Sequence, residues 1–89
     1  MEQERAWEVL EHPHMTEKAM DKVDMDNEIV MVVHLDADKK QIKNAFEALF
    51  DVTVEGVNTS ITPQADKKAY IKLSEADNAM DVATELGMM

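Results

Sequence analysis

Residues 52–73, VTVEGVNTSITPQADKKAYIKL, decide the fold, because they predict two β-strands joined as a hairpin. Both halves of the stretch are rich in β-branched residues, which favour strands. In the second half three apolar side chains alternate with three polar ones: Ala69, Ile71 and Leu73 with Lys68, Tyr70 and Lys72. Since successive strand side chains point to opposite faces, one face should be apolar and the other cationic.

This cationic face needs an explanation in a chain whose formal net charge is −10. One interpretation is an ordinary outer face that water solvates. The other is a surface that contacts phosphate groups. The strand pattern alone leaves both interpretations open.

Length and composition limit the possible classes of protein. We expect the 89 residues, 1–89, to form a single small domain with one modest core. Because cysteine is absent, disulfides and thiolate metal sites are excluded, and an intracellular location fits. The sequence shows neither an apolar run near the roughly 20 residues of a membrane span nor a signal peptide. We therefore expect a soluble, cytoplasmic protein without a membrane partner.

Basic residues concentrate in the middle of the chain. Residues 39–73 contain only four acidic residues but six of the nine basic ones, which are Lys39, Lys40, Lys43, Lys67, Lys68 and Lys72. The segments on either side are strongly acidic. An anionic partner would therefore be repelled least by the middle third.

Hydrophobic periodicity predicts the elements before the hairpin. Residues 7–10 are expected to form a short strand that ends before Pro13. Thr16 is a good N-cap for a short helix. Residues 29–35, IVMVVHL, predict a strand covered on both faces.

Two further helices are predicted. Asp38 and Gln41 resemble a capping box at the start of the first. The apolar face of this helix has helical spacing and consists of Ile42, Ala45, Phe46, Leu49 and Phe50. Lys39, Lys40 and Lys43 lie off this face and should point outward. Residues 74–77 are expected to open the last helix, with Gly87 as its C-cap. The order β-α-β-α-β-β-α predicts an α+β domain whose sheet is antiparallel.

We find no enzymatic site in the sequence. His12, His14 and Glu17 lie close together, but they lack the ligand spacing of a zinc site, so no metal or other cofactor is expected. We interpret His34 as a histidine of the core or of a strand edge. Neither serine elbow nor glycine-rich phosphate loop occurs, so no catalytic residue is predicted.

Five segments, in order, are those of one known family. They are HPHMTEKA at residues 12–19, ADKKQIKNA at 37–45, FDV at 50–52, VNT at 57–59 and KKAYIKLS at 67–74. From residue 7 to the C-terminus the chain resembles the large-subunit ribosomal protein L23 family, archaeal type. The fold that this resemblance implies is an antiparallel four-stranded sheet flanked by helices, which agrees with the predicted elements.

The resemblance implies a structural component of the large ribosomal subunit, in the cytoplasm, that binds large-subunit ribosomal RNA at the rim of the nascent-chain exit tunnel. Neighbouring ribosomal proteins would be further partners. The residues it places against RNA are Thr16, Lys18, Lys39, Lys40, Lys43, Asn58, Thr59, Lys67, Lys68, Tyr70 and Lys72. Glu17 matches an exposed glutamate where the signal recognition particle or other exit-site factors dock.

Two departures from the family pattern bear on this interpretation. Ala65 stands where the hairpin turn usually has glycine, and Glu28 with the acidic N-terminus replaces residues that are commonly basic. The acidic excess is similar to that of ribosomal proteins from salt-accumulating archaea. The alternative function is a free-standing acidic domain for protein–protein interaction. Salt-dependent binding to ribosomal RNA distinguishes the two.

Overall fold

The computed structural model of the protein describes residues 2–87 and contains four helices and four strands in that range. Their bounds are α1 Gln3–Val9, β1 Leu10–Pro13, α2 Glu17–Asp26, β2 Glu28–Val33, α3 Lys39–Phe50, β3 Val54–Ile61, β4 Lys67–Leu73 and α4 Ala79–Glu85. The fold is α+β with an antiparallel four-stranded sheet, as the sequence predicted.

The sheet has the strand order β1-β2-β4-β3, and every neighbouring pair is antiparallel. The predicted hairpin is confirmed, with Val57 opposite Ile71 and Asn58 opposite Tyr70. Its register shifts between Val54 and Gly56, as happens at a β-bulge. β4 lies beside β2 although 33 residues separate Val33 from Lys67, so two distant parts of the sequence meet at the centre of the sheet.

One face of the sheet packs against helices and forms the core. The alternating residues Ala69, Ile71 and Leu73 are at most 1% exposed, as predicted. The helices contribute Ala6 of α1, Phe46 of α3 and several residues of α4 to the same cluster. Burying this apolar area from water is the main stabilisation of the domain.

The predicted burial of the second strand on both faces is confirmed. Every residue from Ile29 to Val33 is at most 7% exposed. Ile29, Met31 and Val33 belong to the core cluster. Val30 and Val32 point to the other face, where Val32 lies between His12 and Lys68. Their burial there fits the way long cationic side chains cover apolar surface with their stems.

The predicted first strand is partly wrong. Residues 7–9 belong to α1, and only Leu10 of that apolar group is in β1. The helix forms because it packs against α3: Ala6 is fully buried, and the Trp7 ring meets Phe50 edge-to-face with centroids 6.3 Å apart. Tertiary packing has here overridden the short apolar pattern.

Two other predictions need correction. His34 lies after the end of β2, exposed, where its Nδ1 accepts a hydrogen bond from the Asp36 N–H at 3.1 Å. Residues 74–77 form a turn rather than the first helical residues, and the Asp77 N–H donates to the Ser74 carbonyl at 3.1 Å. The helix begins only at Ala79, with Asn78 as its N-cap.

The predicted helix ends are present. Thr16 Oγ1 accepts from the Ala19 N–H at 3.1 Å. Asp38 and Gln41 form a complete capping box, with bonds of 2.7 and 3.1 Å. Gly87 follows α4 with a φ of 77°, a conformation that glycine adopts without steric cost.

Asn27 joins three parts of the chain, which the sequence did not indicate. It ends α2 with a φ of 55°. Its side-chain amide faces the carbonyls of Leu73, Ser74 and Asp77 at 3.4, 3.2 and 3.0 Å, and its Oδ1 accepts from the Ala79 N–H at 2.7 Å. One side chain thereby holds the end of β4 and the start of α4 against α2.

The hairpin tip is a hydrogen-bonded turn in which Ala65 stands where the family usually has glycine. The Ala65 N–H donates to the Thr62 carbonyl at 2.9 Å, and the Thr62 N–H donates to the Asp66 carbonyl at 2.8 Å. Pro63 takes the second position of this turn, which suits its fixed φ. Ala65 has a φ of 65°, a left-handed conformation that is strained for a residue with a Cβ.

Replacing Ala65 with glycine should therefore raise the free energy of unfolding by about 0.5 kcal/mol. Relief of roughly 1–2 kcal/mol of strain outweighs the ~0.4–1 kcal/mol that glycine costs through the unfolded chain. Urea unfolding measures the change. Ala76→Gly is the control, because Ala76 is also exposed in a turn but has no positive φ. A loss of stability in both variants would contradict the prediction.

Candidate RNA-binding face

The sheet face opposite the core cluster carries the predicted cationic stripe. We call it the outer face. The strand register places these residues on it: His12, Glu28, Val30, Val32, Asn58, Ser60, Lys68, Tyr70 and Lys72. Lys72, Asn58 and Ser60 are exposed, and Lys68 and Tyr70 are half-buried.

Helix α2 adds two more cations at the margin of this face. Lys18 and Lys22 are four residues apart, so they project from the same side of the helix. The Lys22 ammonium lies 5.5 Å from the centre of the Tyr70 ring and 3.8 Å from the Glu28 carboxylate. The outer face is therefore positively charged although the chain as a whole is acidic.

A small concavity of about 100 Å³ lies where α2 meets the outer face. We call it the lysine pocket, and its polar lining comprises His14, Thr16, Lys18, Lys22, Lys68 and Tyr70. Burial lowers the pKa of His14 below its usual value of 6.5, and the positive charge of Lys68 and the neighbouring His12 lower it further. The pocket brings together residues from the β1–α2 connection, α2 and β4.

The predicted RNA-facing residues divide between the two faces. Lys68, Tyr70, Lys72 and Asn58 share the outer face, with Thr16 and Lys18 beside it. Thr59 is opposite Ala69 and therefore lies on the core side of the sheet. Adjacent strand residues cannot point the same way, which explains the division.

Lys67 likewise lies on the core side of the sheet and has a structural contact. Its Nζ donates to the Ala37 carbonyl at 2.6 Å and approaches the Leu35 carbonyl at 3.5 Å. It thus ties β4 to the connection between β2 and α3. A role in RNA binding would compete with these two bonds.

Lys39, Lys40 and Lys43 are all exposed on α3, as predicted. Because α3 packs on the core side of the sheet, these lysines belong to a different surface from Lys68 and Lys72.

Glu17 occupies the first turn of α2, next to the Thr16 cap, and is exposed. Among residues 2–87, no His, Asp and Glu side chains gather in threes as a metal site requires. In the same part of the chain, none of the helices has the length and apolar character needed to cross a membrane.

A family model for ribosomal protein L23 matches residues 8–79. The chain belongs to the ribosomal protein L23 family. The large ribosomal subunit protein uL23 of Halobacterium salinarum is 48% identical over 80 residues, which cover 90% of this chain and 95% of that protein. The uL23 of Haloarcula marismortui is 45% identical over 83 residues, or 93% of this chain and 98% of that protein. The uL23 of Methanothermobacter thermautotrophicus is 48% identical over 80 residues, or 90% and 93%.

This member of the ribosomal protein L23 family is accordingly a structural ribosomal component and not an enzyme. The resemblance inferred from the five segments is confirmed, as is the expected location in the cytoplasmic ribosome.

Sequence reasoning missed Lys22 and His14 as parts of this L23 surface. The i, i+4 spacing of Lys18 and Lys22 was an available signal for the lysine. Nothing in the local sequence indicates that His14 faces Lys68, because the sheet order brings them together.

Proposed function

We propose that the chain is a component of the large ribosomal subunit that binds large-subunit ribosomal RNA through its outer face. The observation that carries the proposal is the grouping of Lys68, Lys72, Lys18 and Lys22 on one surface of a chain with 19 acidic residues. The names of the relatives, large ribosomal subunit proteins, support the choice of subunit.

The chemistry of this face suits an RNA backbone. Lysine ammoniums contact phosphates without reading sequence. Asn58, beside Tyr70 on the edge strand β3, is exposed and can hydrogen-bond to a phosphate or a 2′-hydroxyl. Thr59, on the other side of the same strand, would reach RNA only around the sheet edge.

The α3 lysines form a second, separate contact in this proposal. An RNA segment lying flat on the outer face cannot also cover Lys39, Lys40 and Lys43, since the sheet lies between. These three would meet another RNA segment. Because they are more exposed than the half-buried Lys68, their contacts would be weaker.

Purification of ribosomal subunits with a tagged chain tests the proposed function. We expect the protein in the large subunit only, retained through a wash that removes loosely associated proteins. Crosslinks to RNA should map to the peptide that contains Lys68 and Lys72. Recovery of the chain outside ribosomes, without RNA crosslinks, would instead favour the free-standing interaction domain.

The location we propose is the rim of the nascent-chain exit tunnel, beside neighbouring ribosomal proteins, with Glu17 as part of a docking site. A basic segment of the signal recognition particle or of another exit-site factor would pair with its exposed carboxylate. Glu17 lies in the first turn of α2, at the margin of the outer face.

Ribosomes carrying Glu17→Ala should recruit exit-site factors more slowly while subunit assembly is unchanged. Removal of a rim charge lowers association rates more than it speeds dissociation. The stability cost should stay near 0.3–1 kcal/mol, the value of one acidic residue at a helix N-terminus. Glu75→Ala is the control, because Glu75 is exposed in the turn at the opposite, C-terminal end of α2. Equal recruitment rates for both variants would leave Glu17 only a helix-end role.

A further inference from the structure

The lysine pocket differs from the rest of the surface in its charge. None of the 19 acidic residues lines it, whereas three lysines and a histidine do. The Glu28 carboxylate, which does not line the pocket, lies 3.8 Å from the Lys22 ammonium, and Lys18 and Lys68 form no ion pair within residues 2–87. A concavity with this lining attracts an anion.

We propose that the lysine pocket binds one tetrahedral oxyanion and that His14 takes up a proton when the anion enters. The inference rests on the proposed function, because the anion would be a single phosphate of the RNA backbone. The pocket would then fix one phosphate in position, while Lys72 and Asn58, on the same face, contact neighbouring parts of the RNA backbone.

The donors in the pocket are arranged for such an anion. Thr16 Oγ1 accepts from the Ala19 N–H, so its own hydrogen remains available to an oxyanion. Lys18 lines the pocket from the helix and Lys68 lines it from the sheet. A volume of about 100 Å³ is large enough for a phosphate group and is below the roughly 300–1,000 Å³ of pockets that enclose drug-sized ligands.

His14 is held beside the anion position by the backbone. Its N–H donates to the Val30 carbonyl at 2.9 Å, which fixes the residue at the end of β1. The titratable groups that line the pocket with it or act on its charge are cations or neutral: His12 from β1, Lys68 and Tyr70 from β4, and Lys18 and Lys22 from α2. No carboxylate lining the pocket favours the imidazolium in the free protein.

The direction of the proton uptake follows from these charges. Burial and Lys68 hold the pKa of His14 below 6.5 in the free protein, so the ring is neutral at pH 7. An anion between His14 and Lys68 offsets the lysine charge and favours the protonated ring, which raises the pKa. Anion binding should therefore strengthen as the pH falls toward the lowered pKa of the free state. A rise of one unit corresponds to about tenfold tighter binding below both pKa values than above them.

Nuclear magnetic resonance of the three histidines in the full chain tests the inference. Inorganic sulfate is the probe, because its charge is constant from pH 5 to 8, and chloride at equal ionic strength is the reference. We expect sulfate to raise the pKa of His14 by about half a unit or more in a saturable manner. His34, exposed and outside the pocket, should show no such saturable shift.

Two variants separate a built pocket from general salt effects. Lys68→Gln should raise the pKa of His14 in chloride and greatly reduce its further rise in sulfate. Arg5→Gln removes an exposed cation from α1, on the core side of the sheet, and should respond as the unmodified chain does.

An unchanged His14 pKa in sulfate would overturn the lysine pocket, even where the chain still binds ribosomal RNA and the proposed function stands. A sulfate response that Lys68→Gln leaves intact would overturn it as well. A Lys68-dependent response in a chain without affinity for ribosomal RNA would support the anion pocket and contradict the proposed function.

Discussion

Replacing Asn27 with alanine is expected to lower the free energy of unfolding by about 2–4 kcal/mol, the largest stability effect that we predict for a polar side chain of this protein. For a domain of this size the melting temperature should fall by roughly 10–20 °C. Thermal unfolding followed by circular dichroism measures both.

Two physical costs add up at this position. The left-handed conformation at a φ of 55° suits asparagine and costs alanine about 1 kcal/mol or more. Loss of the side chain also leaves the Ala79 N–H and the Asp77 carbonyl without their partner in a half-buried place, which costs about 1–3 kcal/mol. Because these bonds connect α2, β4 and α4, the loss should loosen all three.

Two further variants identify which cost dominates. Asn27→Gly keeps the backbone conformation and removes only the hydrogen bonds, so it should be less destabilising than alanine. Asn78→Ala is the matched control: Asn78 is an exposed N-cap with one bond, to the Met80 N–H at 2.9 Å, and should cost about 1 kcal/mol. Equal losses for Asn27→Ala and Asn78→Ala would contradict the role of Asn27 as a link.

The double variant Lys68→Ala, Lys72→Ala should weaken binding to large-subunit ribosomal RNA and make it less dependent on salt. Each lysine that neutralises a duplex phosphate contributes about −0.9 to the slope of log affinity against log salt, so the slope of the variant should be shallower by about 1.8. Between 50 and 200 mM salt the unmodified chain should thus lose roughly tenfold more affinity than the variant. Filter binding over this salt range measures the slope.

The other lysines provide the comparison. Arg5→Ala should leave the slope unchanged, since Arg5 lies on α1 on the core side of the sheet. The double variant Lys39→Ala, Lys43→Ala changes the same number of lysines on α3 and tests the second contact separately. An unchanged slope in the Lys68 and Lys72 variant would remove the outer face from the RNA interface.

Local sequence patterns determined much of the fold. The alternation in residues 67–73, the capping box at Asp38 and the apolar spacing along α3 each predicted an element that the structure contains. These signals are reliable because they depend only on how often side chains return to the same face of a strand or helix and on hydrogen bonds within one helical turn. The same alternation located Lys68, Tyr70 and Lys72 on one face.

Tertiary structure alone decided the remaining features. Residues 7–9 are helical because α3 offers Phe50 as a packing partner, and the hydrogen bond from Lys67 to the Ala37 carbonyl forms because the fold brings the connection after β2 beside β4. Asn27 and the lysine pocket join residues more than 40 positions apart, which meet only because β4 inserts beside β2. No local period encodes such contacts, since their energy appears only once the sheet order has brought the partners together.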